Sequence, residues 1–154
     1  MKPMTGIDPE LRGFVEDCGG IQVIRGGGPV NRSWNGIRYR TGLSAKNVGA
    51  QNLSMNVATV PPGAIAYAHI HDGFEVMLFI LQGRVRHDFG PDLQYSVENE
   101  AGDFIYIEPG VPHEVFNIGE GELIAVVARS AADEWDKIVD YPSRYRDAVQ
   151  KQQG

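Results

Sequence analysis

The sequence predicts an all-β fold, a sandwich or barrel built as one domain, and three observations carry that prediction. From Ile37 onward the chain divides into stretches of five to nine residues, each rich in β-branched and aromatic side chains and closed by Gly, Pro or Asn. They include "IRYRTG", "LSMNVATVPPG", "IAYAHIH", "EVMLFILQG", "RVRHDFG", "QYSVENEAG", "DFIYIEPG", "HEVFNIGEG" and "ELIAVVAR". Short strands at this spacing mark an antiparallel β architecture. No long segment with a helical period interrupts them, which argues against a parallel βαβ plan. The 19 glycines and 9 prolines supply the turns that so many strands need.

Residues 1–36 read as an N-terminal arm. Asp8 is placed to cap a short helix, Pro9 suits its first turn, and Gly19 and Gly20 stop it. A strand "IQVIRG" follows, then the aperiodic loop "GGGPVNRSWNG", in which Trp34 is either a packed surface residue or part of a lid. Residues 37–130 are the strand-rich body. The tail 131–154 turns polar and helix-prone, with Pro142 splitting it into two pieces. No linker or repeat divides the chain, and 154 residues suffice for one sizeable core.

Charge and cysteine usage exclude several partners. The net charge of −6, with arginines scattered among acids, argues against nucleic acid, which requires a basic stripe. The single cysteine, Cys18, allows no disulfide within the chain and fits a reducing compartment. Its acidic neighbours Glu16 and Asp17 disfavour the thiolate, so an inert thiol is expected. "MKPMTGIDPELRG" lacks the apolar stretch of a signal peptide. Apolar runs end at about six residues, against the roughly 20 that a membrane helix needs. A cytoplasmic protein that avoids membranes is the expectation.

The histidines carry the chemistry. His69 and His71 lie two apart on a predicted strand and therefore project from one face, a geometry suited to two metal ligands. Glu75, four residues on, offers an anionic third; two surface histidines on an edge strand are the plainer alternative. A third histidine, His113, follows the stiff turn "EPGVP", where Pro109 and Gly110 suit a type II turn.

These residues resemble the two motifs of the cupin family, G-x5-H-x-H-x3,4-E-x6-G and G-x5-P-x-G-x2-H-x3-N. Gly63, His69, His71 and Glu75 match the first; Gly102, Gly110, His113 and Asn117 match the second. Three of the four histidines thus fall on motif positions. There are two departures. Seven residues separate Glu75 from Gly83 instead of six, so Val76 stands where the spacing places the acid. Glu108 stands at the motif's proline, with Pro109 one residue later. The extra residue calls for a bulge in "VMLFILQ" or a longer turn, and a slip of one reverses a side chain's face.

The resemblance implies a single jelly-roll β-barrel with one divalent metal ion held by His69, His71, Glu75 and His113. Three imidazoles and a carboxylate would leave the ion near +1, with two open positions if it is octahedral. Iron, zinc, manganese, nickel and copper all suit such ligands. Around the site, Tyr67 shares the histidine face by simple alternation, and Met77, Phe79 and Leu81 follow Glu75 in phase as a dry lining. His87 is either an acid–base group in the barrel or a partly exposed structural histidine. Arg84 and Arg86 are read as outward, opposite Val85. Phe104 and Tyr106 against Ile105 and Ile107 suggest a strand buried on both faces, packed on a second subunit as in a homodimer. Asn117 is a further contact candidate, and no catalytic residue is assigned. The implied function is a mononuclear metalloenzyme acting on a small oxygenated or anionic molecule, with an Fe(II) dioxygenase as leading subtype. A non-redox lyase, isomerase or dehydratase using Zn, Mn or Ni, and a binding module without turnover, are the competing readings.

Overall fold

The structure, a computed structural model, describes residues 6–34, 37–133 and 137–145. The capped helix forms as expected: α1 (Pro9–Arg12) begins after Asp8, whose carboxylate accepts the Glu10 N–H at 2.9 Å. The glycine pair does not stop this helix. It turns a small hairpin of β1 (Val15–Asp17) and β2 (Gln22–Ile24). The "loop" that follows contains a strand, β3 (Val30–Trp34), paired antiparallel with β4 (Ile37–Leu43). The Trp34 side chain lies outside the described residues.

After β4 come a one-turn helix, α2 (Ala45–Val48), then β5 (Ser54–Val60), β6 (Ile65–His71), β7 (Val76–Gln82) and β8 (Arg84–Phe89). The chain continues through β9 (Tyr95–Glu100), β10 (Phe104–Ile107), β11 (His113–Asn117), β12 (Leu123–Arg129) and β13 (Ile138–Asp140). They make a six-stranded sheet, β10-β7-β12-β5-β4-β3, and a five-stranded sheet, β13-β6-β11-β8-β9. This is a jelly-roll β-barrel, and one core fills it from both sheets. Ile37, Val60, Val76, Ile80, Leu123 and Val127 come from the first sheet, Ala66, Val85 and Val115 from the second. Alternation is clean on β12, where Leu123, Ala125, Val127 and Arg129 are all buried. On β4 the chain must pass Met55 so closely that a Cβ on Gly42 would lie 1.9 Å from the Met55 carbonyl oxygen, at φ 56.

The tail departs from its helical expectation. Ile138–Asp140 runs as β13 along the edge of β6, with Ile138 opposite His71 and Asp140 opposite His69. A helical turn starts only at Arg144 and Tyr145, and residues 146–154 lie outside the described residues. The edge of β6 offered unpaired backbone groups, and satisfying them outweighs the weak helix preference of three residues. Glu114 fastens the strap: buried to 1% exposure, its carboxylate accepts the Ala68 N–H at 2.9 Å and the Ser143 hydroxyl.

Candidate metal centre

His69 and His113 face each other as register partners on β6 and β11. His71 stands one alternation further along β6. The ring centroids lie 4.3 Å (His69–His113), 4.7 Å (His71–His113) and 4.9 Å (His69–His71) apart. One nitrogen from each ring lies within 4.8 Å of the others, and all three residues are buried.

Local backbone fixes how the rings point. His69 Nδ1 donates to the Tyr67 carbonyl at 2.8 Å, and His113 Nδ1 to the Val111 carbonyl at 2.9 Å. A carbonyl only accepts, so these Nδ1 atoms carry the hydrogen and each Nε2 keeps its lone pair for a ligand. The turn before His113 is as stiff as its sequence suggests: Gly110 takes φ 80, and its N–H donates to the His71 carbonyl at 3.0 Å. Both histidine-bearing segments are thereby tied to each other.

The site favours neutral imidazoles. His71 is lowered from 6.5 to about 2, by burial first and then by His113, His69 and Arg129. Burial also lowers His113, against the raising effect of its bond to the Val111 carbonyl. Protons therefore compete poorly for the His71 and His113 nitrogens at neutral pH, as a metal site requires.

Glu75 does not join the cluster, which corrects the four-ligand expectation. It is exposed, and its carboxylate accepts the Tyr106 hydroxyl at 2.7 Å on the outer face of the sheet. That bond raises the Tyr106 hydroxyl above its ordinary value. Val76 points inward instead, 2% exposed, in phase with Leu78 and Ile80. The phase of β7 is set by this apolar set pairing with β10 and β12, and one carboxylate cannot outweigh it. The extra residue is absorbed at a bulge beside Leu81, where Ile124 pairs with Gln82 and Ala125 with Ile80.

The same phase corrects the lining. Met77, Leu81 and Phe104 are exposed, Phe104 to 82%, with Phe79 packed on Phe104 at 4.6 Å on the outer face, whereas Tyr106, also exposed, lines a cavity beside His87 and His113. Ile105 and Ile107 take the inward places. Tyr67 leaves the histidine face as well. A bulge between His113 and Val115 sets three residues of β6 against two of β11, so Ala66 and His69 both turn inward while Tyr67 and Ala68 span the bulge. Tyr67 reaches the site through its carbonyl, which accepts the His69 Nδ1 hydrogen. Asn117 is a clasp: its amide donates to the Val60 and Gly121 carbonyls at 2.9 Å, and its oxygen accepts the Gly119 N–H.

His87 turns into the barrel and is not partly exposed. It is 5% exposed, is lowered from 6.5 to about 3 by burial and then by His113, and its Nδ1 has no hydrogen-bond partner. With His113 it lines both an inner cavity of about 80 Å³ beside the cluster and a neighbouring one of about 340 Å³. The larger cavity is walled by Phe89, Val97, Ile105 and Val111, with Tyr106 and Glu108 also at its wall. Arg84 and Arg86 face outward as read, Arg86 lying over the Phe116 ring at 4.3 Å. Two buried charges were missed. Arg129 lines the inner cavity, and only the alternation from Leu123 signals its inward phase. Glu114 owes its place to the bulge, which no local pattern announces.

Comparisons with known proteins agree with this architecture. The family described as the Cupin domain matches residues 56–129. A germin-like protein, 8-14, of Oryza sativa subsp. japonica is 28% identical over 103 residues, covering 65% of this chain and 46% of that protein. This chain thus spans about half the length of that relative. Among solved structures, a recombinant oxalate oxidase in complex with glycolate superposes with a TM-score of 0.60 at 23% identity, covering 83% of this chain and 70% of the other. The polyketide cyclase RemF from Streptomyces resistomycificus gives a TM-score of 0.60 at 20% identity, covering 77% and 79%. At such identities these structures share the fold alone. Among the described residues no helix is long and apolar enough to cross a membrane. With the barrel, the two motif halves and the family match in agreement, this chain carries a cupin domain.

Proposed function

We propose that His69, His71 and His113 hold one divalent metal ion, and that the chain is a metalloenzyme for a small oxygenated or anionic molecule. The observation that supports this most is the convergence of three buried imidazoles whose hydrogens are directed to backbone carbonyls at two of the three rings. The residues fit an ion: the donors are imidazole nitrogens, and His71 and His113 are held neutral. A bound divalent ion would polarise a ligand oxygen or, if iron, supply a site for dioxygen.

With Val76 in place of a carboxylate, three imidazoles leave the full +2 charge and three positions of an octahedral ion open. That number accommodates a chelating anion together with dioxygen, so an Fe(II) dioxygenase is the reading we favour. The chain's own residues shape the remainder. Val76, Leu78 and Ile80 exclude water from one wall, and the larger cavity offers an apolar berth for the body of a substrate. His87 supports a second reading, a non-redox lyase, isomerase or dehydratase with Zn, Mn or Ni. Its Nδ1 has no hydrogen-bond partner and its ring lines both cavities, so it is placed to hold a polar group of a molecule bound in either one. Oxygen uptake by iron-loaded protein with phenolic, dicarbonyl and thiol substrates separates the two: uptake supports the dioxygenase, and turnover without uptake supports the second. A second copy of this chain is proposed to cover the exposed Met77, Leu81 and Phe104, an apolar face of a kind that marks an interface. Light scattering of wild type and Phe104→Glu tests that: dimer and monomer, respectively, are expected.

A further inference from the structure

The larger cavity, of about 340 Å³, is lined by exposed residues at one end and buried ones at the other. Val97, Tyr106 and Glu108 form an exposed rim, whereas Ile107, His87 and His113 are buried and form the floor. His87 and His113 also line the inner cavity beside the histidine cluster. The two cavities share these rings as a common wall, so the larger one reaches up to the proposed metal site.

His87 is the polar residue at that floor which the metal reading does not use. Its register partners are Val97 on β9 and Val115 on β11, and neither offers it a polar side chain. At His69 and His113 a backbone carbonyl holds the Nδ1 hydrogen, whereas the His87 Nδ1 has no hydrogen-bond partner. A polar atom buried in this way costs free energy unless a ligand supplies the bond. With no carbonyl to fix its tautomer, the ring offers either a donor or an acceptor, and a hydroxyl answers both. The walls are apolar: Phe89, Val97, Ile105 and Val111, with the Phe89 and Tyr106 rings suited to edge or face contact with an aromatic ligand. Among the described lining residues there is no lysine or arginine, and the one acid is Glu108. An apolar cavity of about 150 Å³ takes a benzene ring, so this one has room for one or two rings.

We infer that this cavity binds an uncharged aromatic molecule of one or two rings, with a hydroxyl at its inner end held by His87. The inference rests on the reading of the chain as an enzyme for a small oxygenated molecule and names the substrate class. The hydroxyl lies at the floor beside His87 and His113, next to the cluster, and the ring body lies among Phe89, Ile105 and Val111. Glu108 sets the charge of the rim. A ligand with an anionic group at its outer end meets that carboxylate, with no cation among the described lining residues to offset it. His87 and Glu108 act here by selecting the ligand, and no bond is made or broken through either.

The test is calorimetric titration of full-length protein loaded with Co(II). The probes are 2-naphthol, naphthalene, which lacks the hydroxyl, and 6-hydroxy-2-naphthoate, which adds an anion at the far end. Wild type is expected to bind 2-naphthol roughly fivefold more tightly than naphthalene. It should prefer 2-naphthol to 6-hydroxy-2-naphthoate by roughly tenfold, a gap that Glu108→Gln narrows. His87→Leu should lose roughly fivefold for 2-naphthol and keep its naphthalene affinity, and His87→Gln should recover part of the loss. Val97→Trp fills the cavity from its rim and should remove the binding of both. Equal 2-naphthol affinity in wild type and His87→Leu would overturn the proposal, as would binding that survives Val97→Trp. So would a wild type that binds naphthalene or 6-hydroxy-2-naphthoate as tightly as 2-naphthol, or that binds none of the three; these comparisons need no variant to fold. If elemental analysis finds no cobalt in wild type, it is the metal reading that fails. The same titrations of the metal-free proteins then judge the cavity by the same criteria.

Discussion

Val76 and Arg129 face each other across the β7–β12 pair, both buried and both turned into the barrel at the histidine end. An apolar residue opposite a buried guanidinium is an unusual pairing for a place where the motif spacing calls for a carboxylate. With Val76 there, the histidine cluster lacks the negative charge that a three-histidine, one-acid centre would have.

Reversing that arrangement has a predictable result. Val76→Glu places a carboxylate between Arg129 and the histidines. Metal affinity is expected to rise at least tenfold, since the site gains an anionic donor. The metal-free variant should be less stable by about 1–3 kcal/mol from burying a charged group. Chelator competition and urea unfolding check both effects. Unchanged metal affinity would show that position 76 does not reach the site.

Acid should destabilise the metal-free protein in a defined window. His71 and His87 are lowered from 6.5 to about 2 and about 3. Below pH 6.5 the unfolded chain binds protons that the folded chain refuses, so stability is fully present above pH 6.5 and is lost as pH falls toward 3. Each group contributes up to about 1.4 kcal/mol per pH unit in that range. Urea midpoints at pH 7.5, 6.5 and 5.5 should fall slightly between the first two and more steeply to the third. His87→Gln should reduce the fall, and an equally steep fall in that variant would contradict the burial of His87.

Glu114 holds the C-terminal strap to the barrel wall behind the histidines. Glu114→Ala removes the acceptor of both the Ala68 N–H in the bulge and the Ser143 hydroxyl. A loss of about 2–4 kcal/mol is expected, with metal affinity falling as well, because the bulge sets the inward turn of His69. Ser143→Ala should cost about 1 kcal/mol and leave metal stoichiometry unchanged. Urea unfolding and elemental analysis distinguish the two variants.

The barrel and the histidine cluster were legible because each depends on short-range rules. Strand length, turn residues and the spacing of His69 and His71 survive any detail of register. His113 was placed by the constraint that Pro109, Gly110 and Pro112 put on one turn. What failed depended on phase and on distant partners. Alternation counted from Glu75 predicted inward Met77 and Phe79, whereas Val76, Leu78 and Ile80 set the phase through pairing with β10 and β12. Alternation also misplaced Tyr67, because a bulge two residues from His69 resets it. β3 and β13 were missed since neither has a period of its own; each is a strand because a neighbouring edge needed one. His87 was left between two readings, yet its inward phase with Val85 was already in the sequence.

The most direct test of the account is metal content. Wild type, Glu75→Gln and His113→Ala would be expressed in metal-balanced medium, purified without chelators or a histidine tag, and analysed by elemental mass spectrometry. Near one equivalent in wild type and in Glu75→Gln, with little in His113→Ala, is the expected result. Loss of metal in Glu75→Gln would contradict the three-histidine centre, and a metal-free wild type would contradict the centre altogether.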